Sequence, residues 1–265
     1  MTGEHMVTWN EAGLSEEWKK TCKVLLGEEI GDIGPYVPYL QKFVEPIGTA
    51  KSAFSGEDIA ISDKYSDGSK FMAGDELSAY EKAFSNQSAN EKLDINQIKD
   101  IDSILSAIKE RIYYAGSVAL GNSTNVTLSN RLIDSSFVYK SHEVCYSKYV
   151  AYAHFTRFSE RVFGSTFVSK TKFCIKNYET FEDTRIMETV RTYHSSDCYF
   201  TSNCENCQNC LFSFNLRNKN NCIGNLELPP DKFKTLKEKL IGDIKQTLES
   251  KKDLKSIVEI IGEVN

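Results

Sequence analysis

Apolar positions recur along the middle of the chain at a spacing of twelve. Stepping from Val138 gives Val150, Val162, Cys174, Ile186, Cys198, Cys210 and Cys222, every one apolar and small to medium in size. The residue after each anchor is mostly apolar too, from Tyr139 and Ala151 through Phe163, Ile175 and Met187 to Tyr199, Leu211 and Ile223. Three residues before the anchors stand small polar residues such as Ser135, Ser147, Ser159, Thr171, Asp183 and Ser195; three after stand Ser141, Ala153, Ser165, Asn177, Thr189 and Thr201. Six after come Val144, Thr156, Val168, Thr180, Thr192 and Cys204, so a half-period of six runs inside the twelve. Columns of like residues at fixed spacing are what a stacked repeat requires, because each coil meets the same environment as the last. A unit of twelve is too short for a helical repeat, and Val, Thr, Tyr, Phe and Ile favour strands. The pattern predicts a parallel β-solenoid, with the clearest repeats over about 130–228 and a coil of either twelve or twenty-four residues. Eight twelve-residue rungs would give an axis of about 38 Å at ~4.8 Å per strand step.

The flanks change period. "DINQIKDIDSILSAIKERIYY" sets Ile95, Ile98, Leu105, Ile108 and Ile112 on one helical face behind Asp94 as N-cap, predicting a helix over about 95–114. After the repeat, prolines at 229 and 230 open a stretch with Phe233, Leu236, Leu240, Ile244 and Leu248 on one stripe, and Leu254, Ile257, Val258 and Ile261 suggest a last short helix. Near the start, Leu14, Trp18, Cys22, Val24 and Leu25 follow a helical pattern, and Tyr39, Leu40, Phe43 and Val44 read as core in a proline-bounded segment. Residues 50–92 are richer in Ser, Asp, Gly and Lys, with a possible strand at "EDIAIS" and a helix near "GDELSAYEKAF". The expected organisation is α+β: a mainly helical region over 1–115 with an irregular 50–92 segment, the solenoid over 116–228, and capping helices over 229–265. Helices laid on the column that begins at Tyr139 would cover an otherwise exposed apolar strip.

Composition narrows the class more than it names a function. Forty per cent hydrophobic and 26% charged residues in 265 are ordinary for a folded chain with a real core. A net charge of -5 speaks against a phosphate-backbone binder, and no apolar run is long enough to span a membrane. The first residues lack a basic segment followed by an apolar stretch, so a cytoplasmic protein is expected and the sequons at Asn86, Asn122 and Asn125 read as chance. That compartment disfavours disulfides among the eight cysteines.

Five of those cysteines crowd into "SSDCYFTSNCENCQNCLFSFNLRNKNNCIGN". Cys204, Cys207 and Cys210 fall three apart, as the inward columns do, which makes them small hydrophobes filling a narrow core. The sharper alternative is zinc held by Cys198, Cys204, Cys207 and Cys210, although an overlapping CxxCxxC does not split into two knuckles. Disulfides between stacked rungs are a third possibility. On the packing reading, Cys210→Ser would bury a partnerless hydroxyl and cost about 1 to 3 kcal/mol.

Chemistry is otherwise thin. GxGxxG, GxxxxGK[ST], HExxH and GxSxG are all absent. His142 and His154 lie one period apart and would stack on adjacent twelve-residue coils, holding a metal or acting as acid and base with Glu143 or Cys145 nearby; the plainer reading makes both half-exposed turn residues. Arg217 in "NLRNK" could project as a phosphate contact or an arginine finger, or sit as a solvated turn residue. Asn206, Asn209, Asn218 and Asn221 suggest stacked amides along the turns.

The segment Ser195 to Asn225, through Asn215, Leu216, Arg217, Asn218, Lys219, Ile223 and Asn225, resembles the C-terminal part of uncharacterised cysteine-rich repeat proteins of archaea and uncultivated bacteria, whose N-C-x-x-C rungs end in an NLRNK box. That resemblance implies a repeat fold and no activity. A weaker likeness runs to the β-helical domains of tubulin-cofactor C and cyclase-associated proteins, in which a glutamine-x-arginine element supplies a finger to a GTPase; Asn215 stands here where the glutamine would be.

These observations lead to a structural or protein-interaction scaffold that binds another protein or its own copy, with neither nucleic acid nor membrane as partner and no required cofactor. One alternative is an enzyme of unidentified reaction with a groove between solenoid and helical region, drawing on His142, His154 and Arg217. Another is a structural part of a viral or surface assembly.

Overall fold

The computed structural model describes residues 13–62, 68–77, 79–80, 93–109 and 111–262. Its centre is a parallel β-solenoid of about nine coils. The register fixes the coil at twelve residues: Val138 pairs with Val150, Val150 with Val162, Val162 with Cys174, Ile186 with Cys198, and Cys210 with Cys222. Each coil contributes two four-residue strands on opposite sides. Strands such as Ser136–Tyr139 and Lys148–Ala151 stack into one sheet, and strands such as His142–Cys145 and His154–Arg157 into the other. The last pairing, between Asn220–Ile223 and Leu226–Glu227, is antiparallel and ends the stack.

The coil turns four corners. From Leu128 to Gly224 every third residue has a positive φ, and apart from Gly164 and Gly224 none is glycine. The left-handed conformation ordinarily costs an L-residue about 1–2 kcal/mol. It is held here by the inter-coil hydrogen bonds on either side of each corner. Asparagine bears it best, and Asn203, Asn206, Asn209, Asn215, Asn218 and Asn221 all occupy such corners. Of the expected amide stacks one is present, Asn206 donating to Asn218 at 2.6 Å, while Asn209 accepts from Lys237 at 2.9 Å; Asn203 donates to Asn215 at 2.8 Å in a stack outside that expectation. Gly164 is required for another reason: a Cβ there would lie 2.7 Å from the carbonyl oxygen of Leu40.

A bend every three residues points every third side chain inward, so the lumen is lined by Val138, Ser141, Val144, Ser147 and their twelve-residue successors, nearly fully buried as far as Ser213 and less so at the C-terminal end, where Leu216 is partly buried and Lys219 exposed. The apolar columns make a dry cluster that includes Leu132, Val150, Val162, Cys174, Ile186 and Cys198. The polar columns have a separate task. Backbone N–H groups at the corners face the lumen and must be paired, and the small side chains pair them as a ladder. Ser135 Oγ accepts from the amide of Ser147, Ser147 Oγ from Ser159, Ser159 Oγ from Thr171, and Ser195 Oγ from Cys207, at 3.0–3.2 Å. Each hydroxyl also donates to the carbonyl two residues back, as Ser135 does to Ile133 at 2.8 Å and Ser159 to Arg157 at 2.7 Å.

Asp183 is the weak rung of that ladder. Its Oδ1 accepts from the Ser195 amide at 2.6 Å, but its buried Oδ2 has no hydrogen-bond partner. Burial pushes its pKa up to about 8, against the pull of those amides. An unfolded aspartate releases its proton near pH 4, so between roughly pH 4 and 8 the folded chain holds a proton that the unfolded chain does not. Stability therefore falls as pH rises through that window. Asn177, which accepts from the Thr189 amide at 3.0 Å and donates to the Ile186 carbonyl at 3.3 Å, shows the better occupant. We expect Asp183→Asn to stabilise by about 1–3 kcal/mol at pH 8 and by nothing near pH 4, read from urea midpoints across pH. A gain that does not change with pH would contradict this account.

Around this core, α1 (Leu14–Leu26) and α2 (Val37–Gln41) lie on the first sheet, with α4 (Pro230–Lys251) and α5 (Ile257–Gly262) beside them. The strip beginning at Tyr139 is the floor of this second cluster: Ala151, Phe163, Ile175, Met187, Tyr199 and Leu211 meet Leu14, Trp18, Cys22, Leu25, Phe233, Ile244 and Leu248. Tyr39 and Leu40 are buried as expected, whereas Val24 and Phe43 are exposed.

The segment between bears out the strand expected at "EDIAIS", found at Asp58–Ile61, and otherwise differs from expectation. Strands β1 (Gly48–Lys51) and β2 (Asp58–Ile61) pair antiparallel, and β3 (Phe71–Ala73) pairs parallel with β4 (Tyr114–Gly116). The helix expected over 95–114 is a 3-10 turn at Ile95–Gln97 and a shorter α3 (Ile101–Lys109), with the chain already extended by Tyr114. Asp94 does cap it, accepting from the Asn96 amide at 2.8 Å. It does not lie on the solenoid strip: Ile95, Ile98, Ile101 and Leu105 are exposed. The first-sheet face is occupied by α1, α2, α4 and α5, which leaves this amphipathic turn outside. Of the expected helix near "GDELSAYEKAF", residues 76, 77, 79 and 80 are helical, while 78 and 81–84, like the Asn86 sequon, lie outside the described residues. Among the described residues, no helix is long and apolar enough to cross a membrane.

Candidate functional site

Of the residue sets singled out by sequence, the histidines lie well away from the other two along the solenoid, while Arg217 lies on the same coils as the cysteines. His142 and His154 face each other in register on the second sheet, the cysteines fill the lumen toward the other end, and Arg217 lies on the last full coil.

The histidines form a pair. Their backbones are fixed by rung hydrogen bonds, His142 N to Ala153 O at 3.1 Å and His154 N to Ser165 O at 3.0 Å. Their rings stack with centroids 4.0 Å apart and planes 13° from parallel. They are not half-exposed turn residues: His142 is 2% exposed, and neither of its ring nitrogens has a hydrogen-bond partner. Burial first, then the neighbouring imidazole, lowers the pKa of His142 below the ordinary histidine value. What buries them is the chain after α2. Glu45 reaches over the pair, its Oε2 3.6 Å from His154 Nδ1. Among the described residues, Glu45, His142 and His154 make the one group of three or more histidine, cysteine or acidic side chains whose ligand atoms all lie within 4.8 Å of one another. The sequence had suggested Glu143 or Cys145 as the neighbour. Glu143 instead pairs with Arg131 at 3.2 Å, because at its corner it points away from the histidines.

All eight cysteines are free, seven buried and Cys145 intermediate. Cys198, Cys204, Cys207 and Cys210 are all fully buried in the lumen, as core filling requires. Burial pushes Cys204 up to about 11, and a hydrogen bond to Cys210 together with burial pushes Cys198 well above the usual thiol range, whereas that same bond from Cys198 brings Cys210 down to about 7, so the four thiols do not share the lowered pKa that a thiolate ligand set needs. Each inward thiol donates to the carbonyl two residues back, Cys210 to Gln208 at 3.5 Å and Cys207 to Glu205 at 3.4 Å. The lumen serines do the same, Ser213 to Leu211 at 2.9 Å. A hydroxyl at position 210 thus has a partner waiting, contrary to the sequence-based expectation. Cys210→Ser should cost less than about 1 kcal/mol by chemical denaturation; a loss near 3 would mean that the serine cannot reach Gln208 O.

Arg217 belongs to a ladder of ion pairs between adjacent coils that also contains Lys170–Glu182 at 2.8 Å and Arg185–Asp197 at 2.6 Å. Its Nε lies 3.0 Å from Glu205, and its guanidinium donates to the Asn203 carbonyl at 2.7 Å. Although half exposed, it is committed within the solenoid.

Two features carried no local signal in the sequence. Glu188, fully buried beneath the helices, accepts from Tyr39 Oη at 2.6 Å, Ser256 Oγ at 2.6 Å and the Ile257 amide at 3.1 Å. One coil earlier, Lys176 is buried over the rings of Phe43 and Tyr39, and burial lowers its pKa to about 8. The second is a groove of about 800 Å³ between α4, α5 and the solenoid, lined by Phe200, Phe212, Leu240, Ile244, Lys42 and Glu259 among others. Its Lys42 is paired with Glu259 at 2.5 Å.

No family model, curated protein or solved structure matches this chain, so the likeness to cysteine-rich repeat proteins and to cofactor C rests on the residues that suggest it.

Proposed function

We propose that the chain is a non-enzymatic scaffold whose uncovered second sheet engages a protein partner or a second copy. The observation that carries this reading is the contrast between the two sheets. Helices lie along the first, whereas the outer side of the second bears aromatic residues in the open. Tyr146 and Phe158 stack at 4.9 Å with their rings 5° from parallel, 52% and 56% exposed. Phe155 and Phe167 lie 5.3 Å apart with Tyr178 beyond, and Arg157 sits 4.3 Å above the Phe155 ring. Exposed aromatic side chains grouped with arginine on a rigid surface have the composition of binding hot spots. A solenoid suits the role because its rungs hold such groups at fixed spacing.

Sedimentation velocity at micromolar concentration tests this. Self-association that Phe158→Asp weakens, with melting unchanged, is the expected result. A chain that stays monomeric and whose pull-down partners are indifferent to Phe158→Asp would contradict it. The groove beside α4 gives the enzyme alternative a place, and there Lys42 is tied to Glu259 and Asp253.

A further inference from the structure

We propose that Glu45, His142 and His154 form a binding site for a divalent transition-metal ion of the zinc class, clasping the segment after α2 onto the second sheet of the solenoid. The donor set, two imidazoles and one carboxylate, suits zinc and leaves a fourth position for water. Three observations support it. The ligand atoms already lie within 4.8 Å of one another in the absence of any ion. His142 is 98% buried and neither ring nitrogen has a partner within hydrogen-bond distance, although the Glu45 backbone approaches closely enough to raise its pKa against the effect of burial, so a bound ion would satisfy a nitrogen otherwise left buried. Thr166, the next residue in the same column, also has a buried hydroxyl without a partner, so the polar demand extends along the strip under this segment.

The stacked rings are not yet in ligating geometry. With planes 13° from parallel, their in-plane lone pairs run side by side and do not meet. A tetrahedral ion with bonds of about 2.0–2.1 Å needs the two nitrogens about 3.3 Å apart with converging lone pairs. Binding therefore turns one ring out of the stack. His154 has the freedom to do so, being the more exposed of the two, and the half-exposed Glu45 carboxylate can follow it.

The test is titration of ZnCl2 into the full chain after dialysis against a chelator, followed by calorimetry, with CoCl2 absorption as a second probe. One ion per chain is expected, with affinity reduced about 10-fold or more in His154→Ala and in Glu45→Gln. Glu45 is exposed, so Glu45→Gln leaves the fold intact and keeps the test decisive should a histidine variant misfold. The cobalt spectrum should show nitrogen and oxygen ligation without thiolate charge-transfer bands. The proposal is overturned by the absence of stoichiometric binding, by full affinity in either variant, or by thiolate bands, which would move the ion to the lumen cysteines.

Discussion

Replacing Phe163 with aspartate should release α1 and α2 from the solenoid while leaving the coils themselves stacked. Phe163 is fully buried between the first sheet and α1, its ring edge-on to Trp18 at 5.4 Å. Truncating such a residue to alanine ordinarily costs about 3–5 kcal/mol. Aspartate adds a carboxylate among Trp18, Tyr36 and Ile175 with nothing there to pair it. The cost falls on docking because the helix-covered cluster and the lumen cluster are separate, divided by the thickness of one strand. The expected readout is loss of hydrogen-exchange protection over 14–40 with protection kept at lumen positions such as Val150 and Val162. An unchanged melting profile would show that the helices do not depend on this strip.

The second large effect is expected from Glu188→Ala. One carboxylate holds both flanks, Tyr39 from the N-terminal side and Ser256 with the Ile257 amide from the C-terminal side. Its removal strands two hydroxyls and an amide, and takes away the negative charge nearest the buried ammonium of Lys176. Each buried group left unpaired costs about 1–3 kcal/mol, so a loss of about 3–5 kcal/mol is expected. Lys176→Met made on top of Glu188→Ala should therefore recover part of the loss, a coupling that a double-mutant cycle measures directly. Equal losses in the single and double variants would show that Glu188 acts through its hydroxyl partners alone.

The solenoid was legible because its columns repeat an environment, and repetition survives in sequence when individual contacts do not. Val138 to Cys222 and the serines three residues to either side were visible before any coordinate. What hid was the reason for the serines: the corner amides face inward and need an acceptor, a fact of backbone geometry that no side chain announces. The corners were hidden for a related reason. Phe155, Arg161, Glu179 and Tyr146 all hold left-handed backbone that glycine or asparagine would normally mark. His142 and His154 could be paired from their spacing, but Glu45 could not be added, because it comes from a chain segment with no period and nearly a hundred residues earlier. Glu188 was opaque for the same reason, since its three partners lie on α2 and at the start of α5.

The helical layer has a consequence for how this protein can change length. A lumen built of twelve-residue steps would accept one step more or fewer without disturbing its own phase. The straps have no such freedom. α1, 13 residues long and so about 20 Å, crosses the strands that begin at Lys148, Glu160, Lys172 and Thr184. Tyr39 and Ser256 grip one particular corner. Duplicating residues 166–177 would keep every rung in register yet carry Glu188 about 4.8 Å beyond the reach of Tyr39. The helices thus act as a ruler, and the number of coils is set by the segments that never enter the solenoid.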